Sequence, residues 1–279
     1  MPKILSKERL ASNIVQIEVE APLIAKSAKP GQFVVLRINE EGERIPLTLA
    51  DKDTNTGKVT IIFQEAGAST KLLGSLKVGD EIKNLLGPLG TPAHINKVGH
   101  VVVVGGGVGI AEIYPAIKAY KEAGNQVTTI IGARSKELLL SESKLRGVSS
   151  EVKVCTDDGS CGQKGFVTEI LKEMIEDHSK EINLVYAVGP VPMMEAVCHV
   201  TAPAKIKTIV SLNPIMLDAT GMCGVCRVTV GGETKFGCVD GPEFDGHLVD
   251  FKELKARLSA YKDKEQESSN HVCKLLSKC

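Results

Sequence analysis

Four side chains in the run 217–245, LDATGMCGVCRVTVGGETKFGCVDGPEFD, carry the strongest chemical signal in this chain. Cys223 and Cys226 form a C-x2-C pair around Gly224, Cys238 follows after eleven residues, and four residues separate Asp218 from Cys223. If Asp218 takes the place of a first cysteine, the spacing is the plant-type C-x4-C-x2-C frame with a later cysteine, which holds a 2Fe-2S cluster. Such a cluster needs ligands converging from several directions. Gly221 and Gly224 give the loop the freedom to wrap it with amides facing inward, and VTV-GG-ETKFGC reads as a hairpin that brings Cys238 back over the loop. Asp218 is an anionic oxygen donor, harder than a thiolate but able to take the remaining iron position.

The same residues admit other chemistry. A structural zinc site of Cys3Asp type fits the donor count, although such sites usually pair two C-x2-C knuckles and only one is present. A disulfide framework suits eight cysteines in 279 residues poorly. Buried, inert thiols account for Cys198 better than for a trio flanked by glycines.

Composition narrows the classes further. Lys plus Arg and Asp plus Glu number 34 each, so no basic excess points to nucleic acid. No run reaches the roughly eighteen continuous apolar residues of a membrane span. Met1-Pro-Lys-Ile-Leu precedes no cleavable apolar segment, which leads to the expectation of a cytoplasmic protein with reduced thiols. The six histidines are scattered and form no catalytic pair.

The elements that must position the cysteine run lie ahead of it. Residues 1–97 read as short β-rich pieces, NIVQIEVEA, GQFVVLRI, KVTIIFQEA and DEIKNLL, bounded by Gly, Pro, Asp and Asn. Their spacing predicts an antiparallel barrel of about six strands. Within it, Arg44 can hold a phosphate bidentately, Pro46 fixes the backbone, and the amides from Leu47 with the Thr48 hydroxyl can face a planar ligand. By itself the residue is more simply an exposed arginine on an ordinary strand. Gly67, Ser69 and Thr70 resemble a phosphate-cradling helix start, and helix capping alone also explains the two hydroxyls.

At Val98 the period changes. His100-Val-Val-Val-Val is a β-branched run suited to a parallel sheet, and it empties into Gly105-Gly-Gly-Val-Gly before a helix over 110–123. That layout places a dinucleotide pyrophosphate at a helix N-terminus. Gly105 and Gly107 fit the first two positions of G-x-G-x-x-G, Ile110 holds the third, and Gly109 sits one earlier. Strand-type stretches at 126–134, 151–159 and 183–190 alternate with helices at 138–145 and 167–177 and a short one from Met193, an open parallel sheet covered by helices over 98–212. Asp157 and Asp158, before Gly159, and Gly189 lie just past strand ends, where such sheets bind ligands. The second strand ends in Arg134 and not in an acid, so NADP is tolerated as well as NAD. Residues 213–250 form the small cluster domain, and 251–279 a Lys- and Glu-rich tail, either a surface helix with a frayed end or a partner-docking segment.

Taken together, these stretches resemble the ferredoxin-NADP reductase superfamily over residues 1–212. Arg44-Ile-Pro-Leu-Thr48 resembles its Arg-x-Tyr-Ser-x flavin motif with Pro and Leu departures, and Gly67-Ala-Ser-Thr resembles its flavin pyrophosphate turn. The appended cluster run is similar to that of the dihydroorotate dehydrogenase B electron-transfer subunits and their relatives. Asp218, where the dihydroorotate subunits carry Cys, is similar to the small-subunit group of the electron-bifurcating NADH-dependent ferredoxin:NADP oxidoreductases. Glu112, where many relatives have Pro, departs from the superfamily pattern.

The resemblance implies FAD on the barrel, NAD(H) or NADP(H) on the second domain and a 2Fe-2S cluster at the C-terminus. It also implies a heterodimer with a larger flavin and 4Fe-4S subunit, where NADP and ferredoxin react. The expected activity is hydride exchange between NAD(H) and FAD, followed by single electrons through the cluster to that subunit, with no side-chain general base. A dihydroorotate dehydrogenase electron-transfer subunit, or a nucleotide-sensing module with structural zinc and no redox role, remain the alternatives.

Overall fold

The computed structural model of the chain describes residues 1–177 and 181–276. Alternating apolar residues in the first segment build an antiparallel sheet from β1 (Ile4–Ala11), β2 (Ile14–Glu20), β3 (Phe33–Arg37), β4 (Arg44–Asp53), β5 (Lys58–Gln64) and β6 (Asn84–Leu89). Its strand order is β1-β2-β5-β4-β3-β6. In β2 the inward residues Val15, Ile17 and Val19 are fully buried, which fixes the register because a slip of one residue would expose all three. The outer strands meet at a bridge between Lys3 and Glu81, and the Ile4 amide donates to the Asp80 carbonyl at 3.0 Å, so the sheet closes into the expected six-stranded barrel. Two helices flank it, α1 (Pro22–Ser27) and α2 (Ala68–Ser75).

The β-branched run becomes β7 (His100–Gly106), the centre of a parallel sheet, with Val101 to Val104 fully buried between helices on both faces. On one face lie α3 (Gly109–Glu112), α4 (Tyr114–Glu122) and α5 (Glu142–Val148), and on the other α6 (Val167–Glu176) and α7 (Val191–Thr201). The remaining strands are β8 (Gln126–Ala133), β9 (Glu151–Thr156), β10 (Gln163–Lys164), β11 (Leu184–Val188) and β12 (Lys207–Ser211). The order β10-β9-β8-β7-β11-β12 reverses between β7 and β11, so the switch point of the sheet falls at the Gly105–Gly109 turn and Gly189.

Three sequence expectations shift. The helix expected over 110–123 is interrupted at Ile113, because Pro115 cannot donate a helical bond and fits only the first turn of a new helix. The helix expected from 138 starts at Glu142, after a 3-10 turn at Lys136–Leu138 and a left-handed Ser141 (φ 54°). The short helix at Met193 is eleven residues long and begins at Val191.

The C-terminal run contains the expected hairpin, β13 (Arg227–Val230) and β14 (Glu233–Phe236), turned by Gly231 and Gly232, both at positive φ. A further strand, β15 (Glu243–Asp245), pairs antiparallel with β12 through Ile209–Asp245, Val210–Phe244 and Ser211–Glu243, so the cluster run is stitched into the nucleotide sheet. The tail is two helices. In α8 (Phe251–Ser259) Phe251 and Leu254 are buried, and α9 (Lys262–Leu276) lies on α2, where the Lys71 Nζ donates to Ser269 Oγ at 2.6 Å. Residues 277–279 of the expected tail lie outside the described residues.

Glu243 marks the junction of the barrel, the nucleotide sheet and the cluster run. The buried Tyr186 of β11 donates to its Oε1 at 2.7 Å, and a Cβ on Gly31 of the barrel would collide with that carboxylate. Burial pushes the Glu243 carboxyl up to about 7. The folded chain therefore binds a proton that the unfolded chain has released between about pH 4.5 and 7, and stability falls as pH rises through that window. Replacing Glu243 by Gln keeps an acceptor for Tyr186 and removes the titration. Urea unfolding between pH 4.5 and 8 is expected to show the Glu243→Gln variant losing less stability than the parent, by up to roughly 3 kcal/mol; identical slopes would show that the carboxyl is not held protonated.

Candidate cofactor cleft and cluster loop

The four cluster-type side chains come together as two pairs. Asp218 Oδ1 accepts from the Cys223 thiol at 2.8 Å, and the Cys226 and Cys238 sulfurs are 3.2 Å apart. In the first pair Cys223 is exposed and Asp218 half-buried, whereas the second pair is only 2% exposed, packed with Met216 and Ala219 against Phe33 and Val35 of β3. Asp218 also receives Thr220 Oγ1 at 2.9 Å and the Met222 amide at 3.3 Å, and these donors with the Cys223 thiol hold its carboxyl down at about 2. Burial, with Cys226 alongside, pushes the Cys238 thiol up. A buried thiolate pair is stable only with a metal to neutralise it. The loop turns at Gly221 (φ 86°) and Gly224 (φ 66°), and Ala219 is held left-handed at φ 58°.

Among the described residues no three His, Cys, Asp or Glu side chains gather as a single-ion site does. A two-iron cluster takes two protein donors on each iron, and the division into Asp218 with Cys223 and Cys226 with Cys238 matches that demand. Cys155 and Cys198 read as core: burial pushes the Cys155 thiol up to about 11 and the Cys198 thiol up to about 12.

At the switch point a cleft of about 640 Å³ opens between β4 and the nucleotide sheet, within the usual size of a cofactor site. Of the residues singled out in the sequence, Pro46, Leu47, Thr48, Gly107, Gly109, Arg134, Asp157 and Gly189 line it. Gly107 sits at φ 56° with open space where a Cβ would be, a backbone that a ligand can approach. Gly105 lies beneath, where a Cβ would strike Ile113 and Ile110, so its role is packing. Asp158 faces outward and accepts from the amide and hydroxyl of Ser160, a turn bond that holds its carboxyl low.

The phosphate-type residues of the barrel stand apart from this cleft. Arg44 is exposed at the start of β4, opposite Arg37. The N-terminus of α2 adjoins it, since the Ser69 hydroxyl donates to Glu43, an anion at the positive end of the helix such as a diphosphate would supply. Gly67 leaves open space for a ligand. Thr70 behaves as a cap: its Oγ1 accepts from the Gly67 amide at 3.0 Å.

Several lining residues escaped the sequence reading, among them Asn13, Met193, Ser211 and Asn213, and Glu112, marked there only as a departure from the superfamily pattern, lines the cleft too. Ser211 and Asn213 follow the last parallel strand, and position alone marks them. Met193 faces the cleft, whereas Met194 and Cys198 of the same helix are buried. Glu112 accepts from Thr48 Oγ1 at 3.1 Å, and burial raises its pKa. A second, smaller cavity shares Pro46, Leu47, Thr48, Glu112, Ser211 and Asn213 with the cleft and continues to Phe33, Met216 and Pro242 beside the cluster loop.

Residues 213–250 match the family model of the iron-sulfur cluster binding domain of dihydroorotate dehydrogenase B, and 103–199 match the oxidoreductase NAD-binding domain. A homologue of the dihydroorotate dehydrogenase B electron transfer subunit from Thermotoga maritima is 44% identical over 272 residues, covering 98% of this chain and 95% of that protein. The electron transfer subunit from Desulforamulus reducens is 32% identical over 255 residues, covering 88% and 96%. This chain belongs to the family of dihydroorotate dehydrogenase B electron transfer subunits and their homologues. It is also 43% identical, with a TM-score of 0.92 and 98% coverage of both chains, to a chain in the structure of NADH-dependent reduced ferredoxin-NADP oxidoreductase, reported for its insight into flavin-based electron bifurcation.

The resemblance drawn from the sequence is thus borne out, with the barrel, nucleotide and iron-sulfur parts in the expected order. As a member of this family the chain is an oxidoreductase component for electron transfer, served by flavin, nicotinamide and an iron-sulfur cluster. Among the described residues no helix is long and apolar enough to cross a membrane.

The tight approach of α3 to β11 gives a direct test of the nucleotide cleft. A Cβ on Gly109 would lie 2.5 Å from the Val188 carbonyl oxygen and 2.9 Å from the Gly189 Cα, both rigid backbone. Gly109→Ala is expected to cost roughly 1–3 kcal/mol of stability and to weaken nucleotide binding, read by NADH titration. Unchanged affinity would place the nucleotide elsewhere.

Proposed function

We propose that this chain is the small subunit of an electron-bifurcating NADH-dependent ferredoxin:NADP oxidoreductase, exchanging hydride between NAD(H) and FAD and relaying single electrons through a 2Fe-2S cluster to a larger subunit. FAD converts between a hydride pair and single electrons, and the cluster carries those electrons one at a time. Asp218, Cys223, Cys226 and Cys238 hold the cluster. Pro46, Leu47 and Thr48 bear on the flavin ring. Arg44 and the start of α2, with Gly67 and Ser69, face its diphosphate, while Thr70 caps the helix. Gly107, Gly109, Gly189, Arg134 and Asp157 receive the nicotinamide nucleotide.

One observation carries the reading. Phe33 and Val35, which pack against Cys226 and Cys238, pair across the barrel sheet with Thr48 and Pro46. Adjacent strands lie roughly 5 Å apart, so the flavin strand is the immediate neighbour of the strand on which the buried half of the cluster loop packs. The opposite edge of the loop offers Leu217, Met222 (88% exposed) and Val239, an apolar rim suited to a protein partner next to Asp218 and the exposed Cys223. In this reading the partner is the larger flavin and 4Fe-4S subunit, where NADP and ferredoxin react. Asp218 in the first ligand position favours this subunit over that of dihydroorotate dehydrogenase B. The match of 213–250 to the dihydroorotate dehydrogenase B domain supports the second, and oxidation of dihydroorotate by the assembled complex distinguishes them.

Visible and electron paramagnetic resonance spectra of anaerobically purified protein, before and after NADH or NADPH, test the proposal. A flavin bleached by NADH and a reducible 2Fe-2S signal are expected. A colourless zinc protein would contradict it. Cys226→Ser is expected to lose the cluster signal and keep a flavin bleached by NADH, whereas Asp218→Cys keeps a cluster at a changed potential. Loss of all iron from Asp218→Cys would show that the loop cannot accept a fourth thiolate.

A further inference from the structure

Two arginines grip the outside of the cluster loop between Cys223 and Cys226. Arg257 Nη2, from α8, donates to the Val225 carbonyl at 2.9 Å, and Arg227 Nη1 donates to the Gly224 carbonyl at 3.2 Å. A peptide unit is planar and trans, so its C=O and N–H point opposite ways. With both carbonyls turned to guanidinium groups, the amides of Val225 and Cys226 point back into the loop. Among the described residues neither amide has a backbone or side-chain acceptor, and Cys226 is buried. A buried amide is almost always paired, so the amide of buried Cys226 awaits an acceptor that the loop itself does not supply, and the amide of half-buried Val225 faces the same way. Among the described residues neither guanidinium forms an ion pair with a carboxylate, and the contacts each makes here are to loop carbonyls.

We propose that Arg257 is a positioning residue for the iron-sulfur cluster: with Arg227 it turns the Val225 and Cys226 amides toward the cluster sulfurs and raises the reduction potential. The inference rests on the ligand set proposed above. Hydrogen bonds to cluster sulfurs and nearby positive charge both favour the reduced, more negative cluster. The α8 helix is anchored independently by Phe251 and Leu254, so the guanidinium can be altered without detaching the helix.

The test is a redox titration of the full chain, loaded with flavin and cluster and followed by electron paramagnetic resonance, for the parent, Arg257→Gln and Arg257→Lys. Iron and sulfide contents are expected to be equal in all three. Arg257→Gln is expected to shift the midpoint downward, by about 59 mV for a tenfold fall in the ratio of reduced to oxidised cluster at a fixed potential. Arg257→Lys, which keeps a charged donor, is expected to recover most of that shift, and Arg227→Gln to lower the midpoint in the same direction. A midpoint unmoved in Arg257→Gln with full iron would overturn the proposal, as would loss of iron, which would make the contact merely structural. Absence of any 2Fe-2S signal in the parent would instead remove the ligand assignment beneath it.

Discussion

The antiparallel pairing of β15 with β12 fixes where the cluster loop can lie. The chain leaves the nucleotide sheet at Ser211, runs through the loop and hairpin, and returns to pair Glu243 with that same Ser211. The Leu212 amide reinforces the closure by donating to the Pro242 carbonyl at 2.8 Å. Both ends of the excursion are thus held by one strand, whose own end forms part of the cofactor cleft. A loop closed on rigid elements keeps its side chains placed with little further loss of freedom, which a redox centre at fixed distance requires.

From that anchor the loop presses Cys226 and Cys238 onto Phe33 and Val35, and β3 passes the constraint to β4. The cleft and the smaller cavity share a wall of Pro46, Leu47 and Thr48. The loop is asymmetric, with one donor pair buried against the barrel and the other, with its exposed Cys223, beside an apolar rim. With the proposed ligands, that asymmetry would give an electron carrier a protected side toward the flavin and an open side toward a partner. Charge follows the same logic, since the buried pair needs metal to exist as thiolates while Asp218 stays ionised at the exposed side.

Much of this was legible because it depends on local rules. The Gly231-Gly232 turn, the β-branched run of β7 and the glycines after it declare their conformation within a few residues. The D-x4-C-x2-C spacing likewise belongs to one loop. What escaped depends on contacts distant in sequence. Three residues, Glu243 to Asp245, carry too little pattern to announce a strand, and only the exposed edge of β12 makes them one. Glu112 is an ordinary first-turn acid until Thr48 reaches it from the barrel. Arg257 is one basic residue among many in a charged helix, and α9 lacks a strong apolar stripe to foretell its packing on α2.

The central claim is that electrons from NADH reach the cluster only through a flavin held in the cleft. The most direct measurement adds NADH anaerobically to protein stripped of flavin but retaining its iron and sulfide, and follows the cluster by electron paramagnetic resonance before and after FAD is restored. The account predicts a cluster that stays oxidised without FAD and becomes reduced once FAD is returned. Reduction without flavin, or a cluster still oxidised after the flavin has been bleached, would contradict it.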